Sequence, residues 1–379
     1  MLRLLRGWLG FVLACGTFVA PISSAPPKPK PKPEPTPKPV REAREKSLVW
    51  LTENQAANGS WGKTYTIAVT SFACLSYLSA NDEPFRGERG DTLLKGLKFL
   101  LAQQKEGMFV QQGHTWIHGQ GFATLALSEA YGRSLLCKTK PDFDMKKVRA
   151  VVAKAVQAIG KNQSKSGGWW YTPGVTEQHE GSTTVCAVQA VVSAKNYGIP
   201  VEDKTIDNGF EYLKKCQIKD GGFVYKLGDQ VSMKEGTAGG VATLGLMQKY
   251  DFPVMIKGYK FLVQLTPAGI SSERFPYYGH FYGCMAMRLL GQEYEDDKDF
   301  REKTRAYVAG VQKDLLAFQT AAFAKKGVFP FRPGVDANTE SEAYPTAFAT
   351  LALFVPEGRL SIYNRTPPKL PKEAEAKDK

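Results

Sequence analysis

Residues 160–190 read GKNQSKSGGWWYTPGVTEQHEGSTTVCAVQA and hold the parts of a helical hairpin. A helix ends near Gln163, a turn bearing Gly167 leads into Trp169 and Trp170, and a second, mostly apolar helix opens near Gly181–Ser182. A glycine just past a helix takes positive φ and lets the last carbonyls find partners, so Gly167 marks the stop. The same parts recur along the chain. Trp50-Leu51, Gln55, Gly59 and Trp61 precede an apolar run from Ile67 to Leu78; Phe99-Leu100, Gln104, Gly107 and Phe109 precede Phe122–Ala130; Tyr212-Leu213, Gln217, Gly221 and Phe223 precede Val241–Met247. Two looser copies run through Phe261-Leu262, Gln264 and Phe275 to Tyr282–Leu290, and through Phe318, Gln319, Gly327 and Phe329 to Phe348–Phe354. From glutamine to glutamine the spacings are 49, 59, 54, 47 and 55 residues. That period suits paired helices joined by variable loops.

Apolar residues within each segment fall at helical intervals, as in Leu93, Leu97, Leu100 and Leu101. The second helix of each pair is poor in charge on all sides. Gly236–Leu246 (GTAGGVATLGL) is crowded with small residues that weaken an isolated helix, so it must be surrounded and closely packed. The first helices carry charge, as in Lys146-Lys147-Val148-Arg149. An inner buried layer and an outer solvated layer follow. An open array needs polar terminal repeats, and neither end unit is more polar than its neighbours, which favours closure into a ring. The expected fold is all-α, an α/α toroid of about six helical hairpins.

The ends differ from this body. Arg3 and Arg6 precede an apolar run from Trp8 to Ala20, and residues 1–25 read as a signal peptide or N-terminal anchor. Residues 26–44 form a Pro/Lys-rich linker expected to be disordered, 45–358 the toroid, and 359–379 a charged tail. The protein is thus expected to be exported: periplasmic, secreted or tethered to the cell envelope. Of the net charge of +13, residues 1–25 carry +2, residues 26–46 carry +4 and residues 365–379 carry +2, which leaves +5 over the body. So diffuse a charge argues against nucleic-acid binding; the tails read first as solubilising segments and otherwise as contacts to an anionic membrane or wall surface. Five cysteines follow the first 25 residues, with no CxxC and three of them in apolar helical runs, a pattern of buried thiols.

The recurring aromatic, aliphatic, glutamine, glycine and aromatic positions resemble those of the squalene and hopene cyclases and of the β subunits of protein prenyltransferases, whose shared domain is an α/α toroid. The resemblance covers residues 45–358 and implies the fold. The cyclases' Asp-x-Asp-Asp cluster is absent; the nearest charge run, Glu295-Asp296-Asp297-Lys298-Asp299, lies between the fifth and sixth units. The prenyltransferases hold zinc with an Asp-x-Cys pair and a later histidine, and this chain has no Asp-x-Cys.

Aligning the inner helices on Phe72, Phe122, Val185, Val241, Tyr282 and Phe348 puts Thr66, Trp116, His179, Glu235, Pro276 and Glu342 six positions upstream, on one rim. His118, Glu180, His280 and Glu340 stand within about a turn. Three readings fit. A His179, Glu235, Glu342 set suits a divalent metal ion; it suits acid/base work with His179 taking a proton; or the carboxylates only cap exposed helix amides. Trp169, Phe275 and Phe329 read as wedges between hairpins. Trp170, Tyr277, Tyr278, Tyr282 and Tyr344 are candidates to line a pocket for an apolar or carbohydrate ligand, with Arg274 and Arg332 beside them for an anionic group.

The sequence therefore supports a toroid whose mouth binds a ligand or protein partner. An enzyme acting on isoprenoid or polysaccharide, or a structural envelope protein, are the alternatives. A deep aromatic cavity would favour isoprenoid or lipid, and an open cleft crossed by histidine, tyrosine and arginine would favour glycan.

Overall fold

Along the residues that the computed structural model describes, 35–109, 116–319, 321–331 and 341–371, a charged helix is followed six times by an apolar one. The pairs are α1 (Lys38–Glu53) and α2 (Thr66–Ala80), α3 (Gly87–Gln103) and α4 (Trp116–Leu136), α5 (Met145–Lys161) and α6 (Gly181–Asn196). They continue with α7 (Asp203–Cys216) and α8 (Lys234–Leu246), α9 (Pro253–Ser271) and α10 (Pro276–Glu293), and α11 (Lys298–Phe318) with α13 (Ala343–Phe354), the short α12 (Ala321–Lys326) intervening. Two strand pairs sit in the turns: β1 (Gln104–Lys105) with β2 (Met108–Phe109), and β3 (Phe223–Val224) with β4 (Ser232–Met233).

The second helices form the inner layer. In α2 every residue from Ile67 to Ser79 is buried, which a helix surrounded on all sides requires. The outer helices are amphipathic: α7 buries Ile206, Phe210, Leu213 and Cys216 and exposes Lys204, Asp207, Glu211 and Lys214. Inner helices pack in sequence order, α2 on α4, α4 on α6, α6 on α8, α8 on α10 and α10 on α13, and α13 returns to α2. At that closure Ser76 Oγ donates to Ala347 O (2.9 Å), and the rings of Phe72 and Phe348 stack with centroids 4.2 Å apart.

The recurring glutamine and glycine are the seams between hairpins. Gln163 Nε2 donates to Gly167 O (2.8 Å) in its own turn and to Thr205 O (3.0 Å) in the next outer helix. Gln55 bridges Gly59 O and Thr92 O, and Gln217 bridges Gly221 O and Val254 O, in the same way. The glycine has φ +95° at Gly167, and a Cβ there would lie 2.3 Å from Asn208 O, so the turn rests on the backbone of the next outer helix. At Gly327 the corresponding neighbour is Lys46 of α1, which ties the sixth unit to the first. The fifth unit departs from this pattern. Thr266 (φ 57°) and Pro267 kink α9, and the chain runs on helically to Ser271 instead of turning at a glycine.

Both expected domain edges move. The linker predicted to reach residue 44 ends sooner, because α1 starts at Lys38 and buries Val40, Ala43 and Arg44. The tail predicted from 359 begins later, because Leu360, Ile362 and Tyr363 are fully buried. Residues 355–363, in two 3-10 turns, cross the C-terminal ends of the inner helices. Arg288 Nε donates to Tyr363 O (2.8 Å), and Glu129 of α4 accepts from Ser361 N (2.9 Å). The acidic run at 295–299 supplies a helix cap, Asp297 accepting from Phe300 N (3.1 Å). The five cysteines from Cys74 to Cys284 are buried and unpaired. No helix among the described residues is long and apolar enough to cross a membrane; the predicted signal segment lies outside them.

Candidate functional site

The inner helices begin at one rim, and a cavity of about 240 Å³ opens there. Each contributes its first turns: Phe72 from α2, His118 and Phe122 from α4, Ser182 and Val185 from α6, Glu235 from α8, Tyr278 from α10, and Tyr344 and Phe348 from α13. Phe72 is at the centre of the aromatic wall, edge-on to Phe122 (4.4 Å between centroids) and to Tyr344 (5.9 Å). Turn residues Tyr171, Tyr225 and Phe275 complete the rim.

Two carboxyls face this apolar space. Glu180 is fully buried and caps α6, accepting from Ser182 N (2.6 Å), Ser182 Oγ (2.5 Å) and Thr183 N (2.8 Å). Burial pushes its carboxyl up from the ordinary range, while these donors and the Tyr171 hydroxyl pull it back. Tyr171 in turn shares a hydrogen bond of 2.6 Å with the Tyr225 hydroxyl. Glu235 is 4% exposed, and among the described residues its carboxyl is bonded by its own backbone amide; burial raises it too. The His118 imidazole, with Ser182 Oγ at 3.4 Å from its Nε2, is held down to about 4 by burial and is neutral near pH 7.

Of the predicted rim residues, the structure brings Glu235, His118, Glu180, Tyr278 and Tyr344 to the cavity. The three residues set in one register do not meet there. His179 turns away from the lining, its Nδ1 3.0 Å from the Tyr212 hydroxyl, and Glu342 is exposed at the start of α13. His280 is buried on the other side of α10, with Ser271 Oγ at 3.0 Å. Tyr277 donates to Pro330 O (2.8 Å), and Tyr282 donates deep in the ring to Gln189 Oε1 (2.9 Å). Trp170 packs edge-on to Tyr171, Arg274 is exposed over the Phe275 ring, and Arg332 and Glu340 lie outside the described residues. Among the described residues no three His, Cys, Asp or Glu side chains converge as a metal site.

The displaced register has a physical cause. In each regular unit the amide of the turn aromatic donates to an inner-helix side chain: Trp61 N to Thr70, Phe109 N to Gln120, Trp169 N to Thr184, Phe223 N to Thr237 and Phe329 N to Thr346. Counted from those anchors, the equivalent of Phe72, Phe122 and Phe348 is Cys186 in α6 and Gly239 in α8. Alignment on the larger Val185 and Val241 slips the register, so that His179 takes the place due to Glu180. The polar anchor two residues before each aromatic was the signal that finds Glu180. Ser182 and Tyr225 carried no repeat signal.

Comparison with protein families matches the chain to the prenyltransferase alpha-alpha toroid domain over residues 35–224, 193–265 and 258–368. Comparison with curated protein sequences returns no match. Among solved structures, the type II terpene cyclase MstE from Scytonema in complex with geranylgeranyl dihydroxybenzoate is similar at a TM-score of 0.52 and 14% identity, covering 85% of this chain and 98% of that one. An α-1,6-mannanase of Salegentibacter bound to α-1,6-mannotriose is similar at 0.59 and 9%, covering 83% and 98%. An unsaturated glucuronyl hydrolase specific for heparin is similar at 0.55 and 10%, covering 83% and 96%. At these identities the likenesses concern the fold alone.

Proposed function

This chain belongs to the prenyltransferase alpha-alpha toroid family, and on that premise we propose that its central cavity binds an apolar ligand of the isoprenoid or lipid kind. The observation that carries this reading is the wall of Phe72, Phe122, Tyr344 and Phe348, enclosed by inner helices and holding its acids away from water. Burying apolar area is worth about 25 cal/mol per Å², which a hydrocarbon exploits over its whole length and a sugar only over its C–H faces, while the sugar's many hydroxyls need more polar partners than this wall offers. At about 240 Å³ the cavity is below the roughly 300–1,000 Å³ of drug-sized sites and suits a short apolar chain. Native mass spectrometry of the full chain with farnesene and with α-1,6-mannotriose tests this. We expect a one-to-one hydrocarbon complex that Val69→Trp abolishes; sugar binding without hydrocarbon binding would overturn it.

A second reading, an enzyme that protonates its ligand, is favoured by Glu235, a buried carboxyl of raised pKa facing an apolar space. It predicts a rearranged or hydrated product from farnesol by gas chromatography, lost in Glu235→Gln while binding persists. In either case residues 1–25 direct export and the Pro/Lys segment holds the toroid near a membrane or wall. Fractionation of cells expressing the chain with and without residues 1–25 checks that assignment.

A further inference from the structure

We infer that the cavity recognises a single hydroxyl on its apolar ligand, at His118 and Ser182, and rejects the matching diphosphate ester; this rests on the apolar-ligand reading above. A hydroxyl both donates and accepts. His118 and Ser182 are half-buried, face the cavity, and meet each other only at 3.4 Å, longer than a well-formed hydrogen bond. A neutral imidazole offers one N–H and one lone pair, and Ser182 Oγ, donating its own proton to Glu180 Oε1, keeps its lone pairs for an incoming O–H. Glu180 fixes the serine through both its amide and its hydroxyl, so the acceptor is pre-set against a wall that is otherwise mainly hydrocarbon and aromatic.

The exclusion of a diphosphate follows from the other groups. Glu180 and Glu235 both line the cavity, and no lysine or arginine does among the described residues. Ionised, the two acids repel a polyanion. Protonated, they supply two hydrogens to a group whose several charges have lost their water, which does not repay the desolvation.

The test is calorimetric titration of the full chain with farnesene, farnesol and farnesyl diphosphate, comparing wild type with Ser182→Ala. Farnesol should bind about fivefold tighter than farnesene, a single net hydrogen bond, and at least about tenfold tighter than the diphosphate. Ser182→Ala should bring farnesol down to farnesene and leave farnesene unchanged; His118→Leu, with circular dichroism to confirm folding, should do the same. Diphosphate binding as tight as farnesol, or equal losses of farnesol and farnesene in both variants, overturns the inference alone. Failure of farnesene and farnesol alike to bind overturns the apolar-ligand reading and this inference with it.

Discussion

Glu129→Ala should detach the C-terminal segment from the floor of the ring. Glu129 lies inside α4, fully buried, and its carboxyl accepts from Ser193 Oγ (2.9 Å), Tyr197 Oη (2.7 Å), Ser361 N (2.9 Å) and Ser361 Oγ (2.6 Å). Two of the four donors belong to the segment that closes the ring. Each such hydrogen bond contributes about 0.5–1.5 kcal/mol net, and the three hydroxyls can turn to other acceptors when the carboxyl is lost. The Ser361 amide cannot turn, and its orphaning adds about 1–3 kcal/mol. Together with the volume left empty, about 4 kcal/mol is expected for Glu129→Ala. Glu129→Gln is the control. Its amide oxygen can occupy the Oε2 position and accept from Ser361 N and Tyr197, while its NH₂ donates to the two serine hydroxyls, which reverse. A loss of about 1–2 kcal/mol follows. Urea unfolding of the full chain followed by circular dichroism measures both, and limited proteolysis should cut near residues 358–364 in the alanine variant first. An alanine variant within about 1 kcal/mol of wild type, or a glutamine variant as damaged as the alanine one, would refute the reasoning.

Two further outcomes follow from the rim. A Cβ at Gly239 would lie 2.5 Å from the Tyr278 hydroxyl and 3.2 Å from Val185 Cγ2, so Gly239→Ala should push Tyr278 toward the cavity, lower farnesene affinity about tenfold and cost about 1–3 kcal/mol of stability; unchanged calorimetric binding would count against that geometry. The pH dependence has two opposed parts. His118 is held down from 6.5 to about 4, so between those values the unfolded chain binds more protons, and this stability is lost as pH falls through the window. Glu180 and Glu235 are raised above 4.5, so the folded chain holds their protons longer and loses stability as pH rises above that value. His118→Gln should therefore weaken the loss of stability on acidification from pH 6.5 to 4.5, read from urea midpoints; an unchanged slope would show that His118 is not the group responsible.

The hairpins were legible because their marker residues each meet two demands. Gln163 joins its own turn to the next hairpin, and Gly167 combines positive φ with close approach to a neighbouring backbone, so neither admits a substitute cheaply. Where one demand lapses the signal fades: Gln264 is exposed, and Thr266–Pro267 redirect the chain in place of a glycine turn. The site was less legible. Hydrophobic periodicity identifies inner helices as buried without saying which side faces the centre, because all sides are apolar. A slip of one residue then exchanged Glu180 for His179. The edges were misread for a related reason, since the charged Lys38–Lys46 and Gly358–Arg365 stretches bury Val40, Ala43 and Arg44 in the one and Leu360, Ser361, Ile362 and Tyr363 in the other, in seams made by distant parts of the ring.

The two ends of the inner layer are chemically unequal, and that inequality decides where a ligand can enter. At the helix C-termini residues 355–363 lie across the ring, pinned by Glu129 on one side and by Arg288 on the other. At the N-termini no such segment intervenes among the described residues, and the position two residues after the polar anchor is phenylalanine on α2, α4 and α13 but small on α6 and α8, as Cys186, whose thiol turns to the α4 backbone, and Gly239, which faces Tyr278. A ring whose helices all carried the large residue would fill its own centre. Here the small side gives room to Tyr278 and to the cavity, and the carboxyls that remain there sit at helix starts, where partial positive charge from unpaired amides offsets part of their burial. Polar groups are thus concentrated at the end through which a ligand would pass, with the apolar wall beyond them, an order that would receive the hydrocarbon part of the proposed ligand first and hold its polar group at the rim.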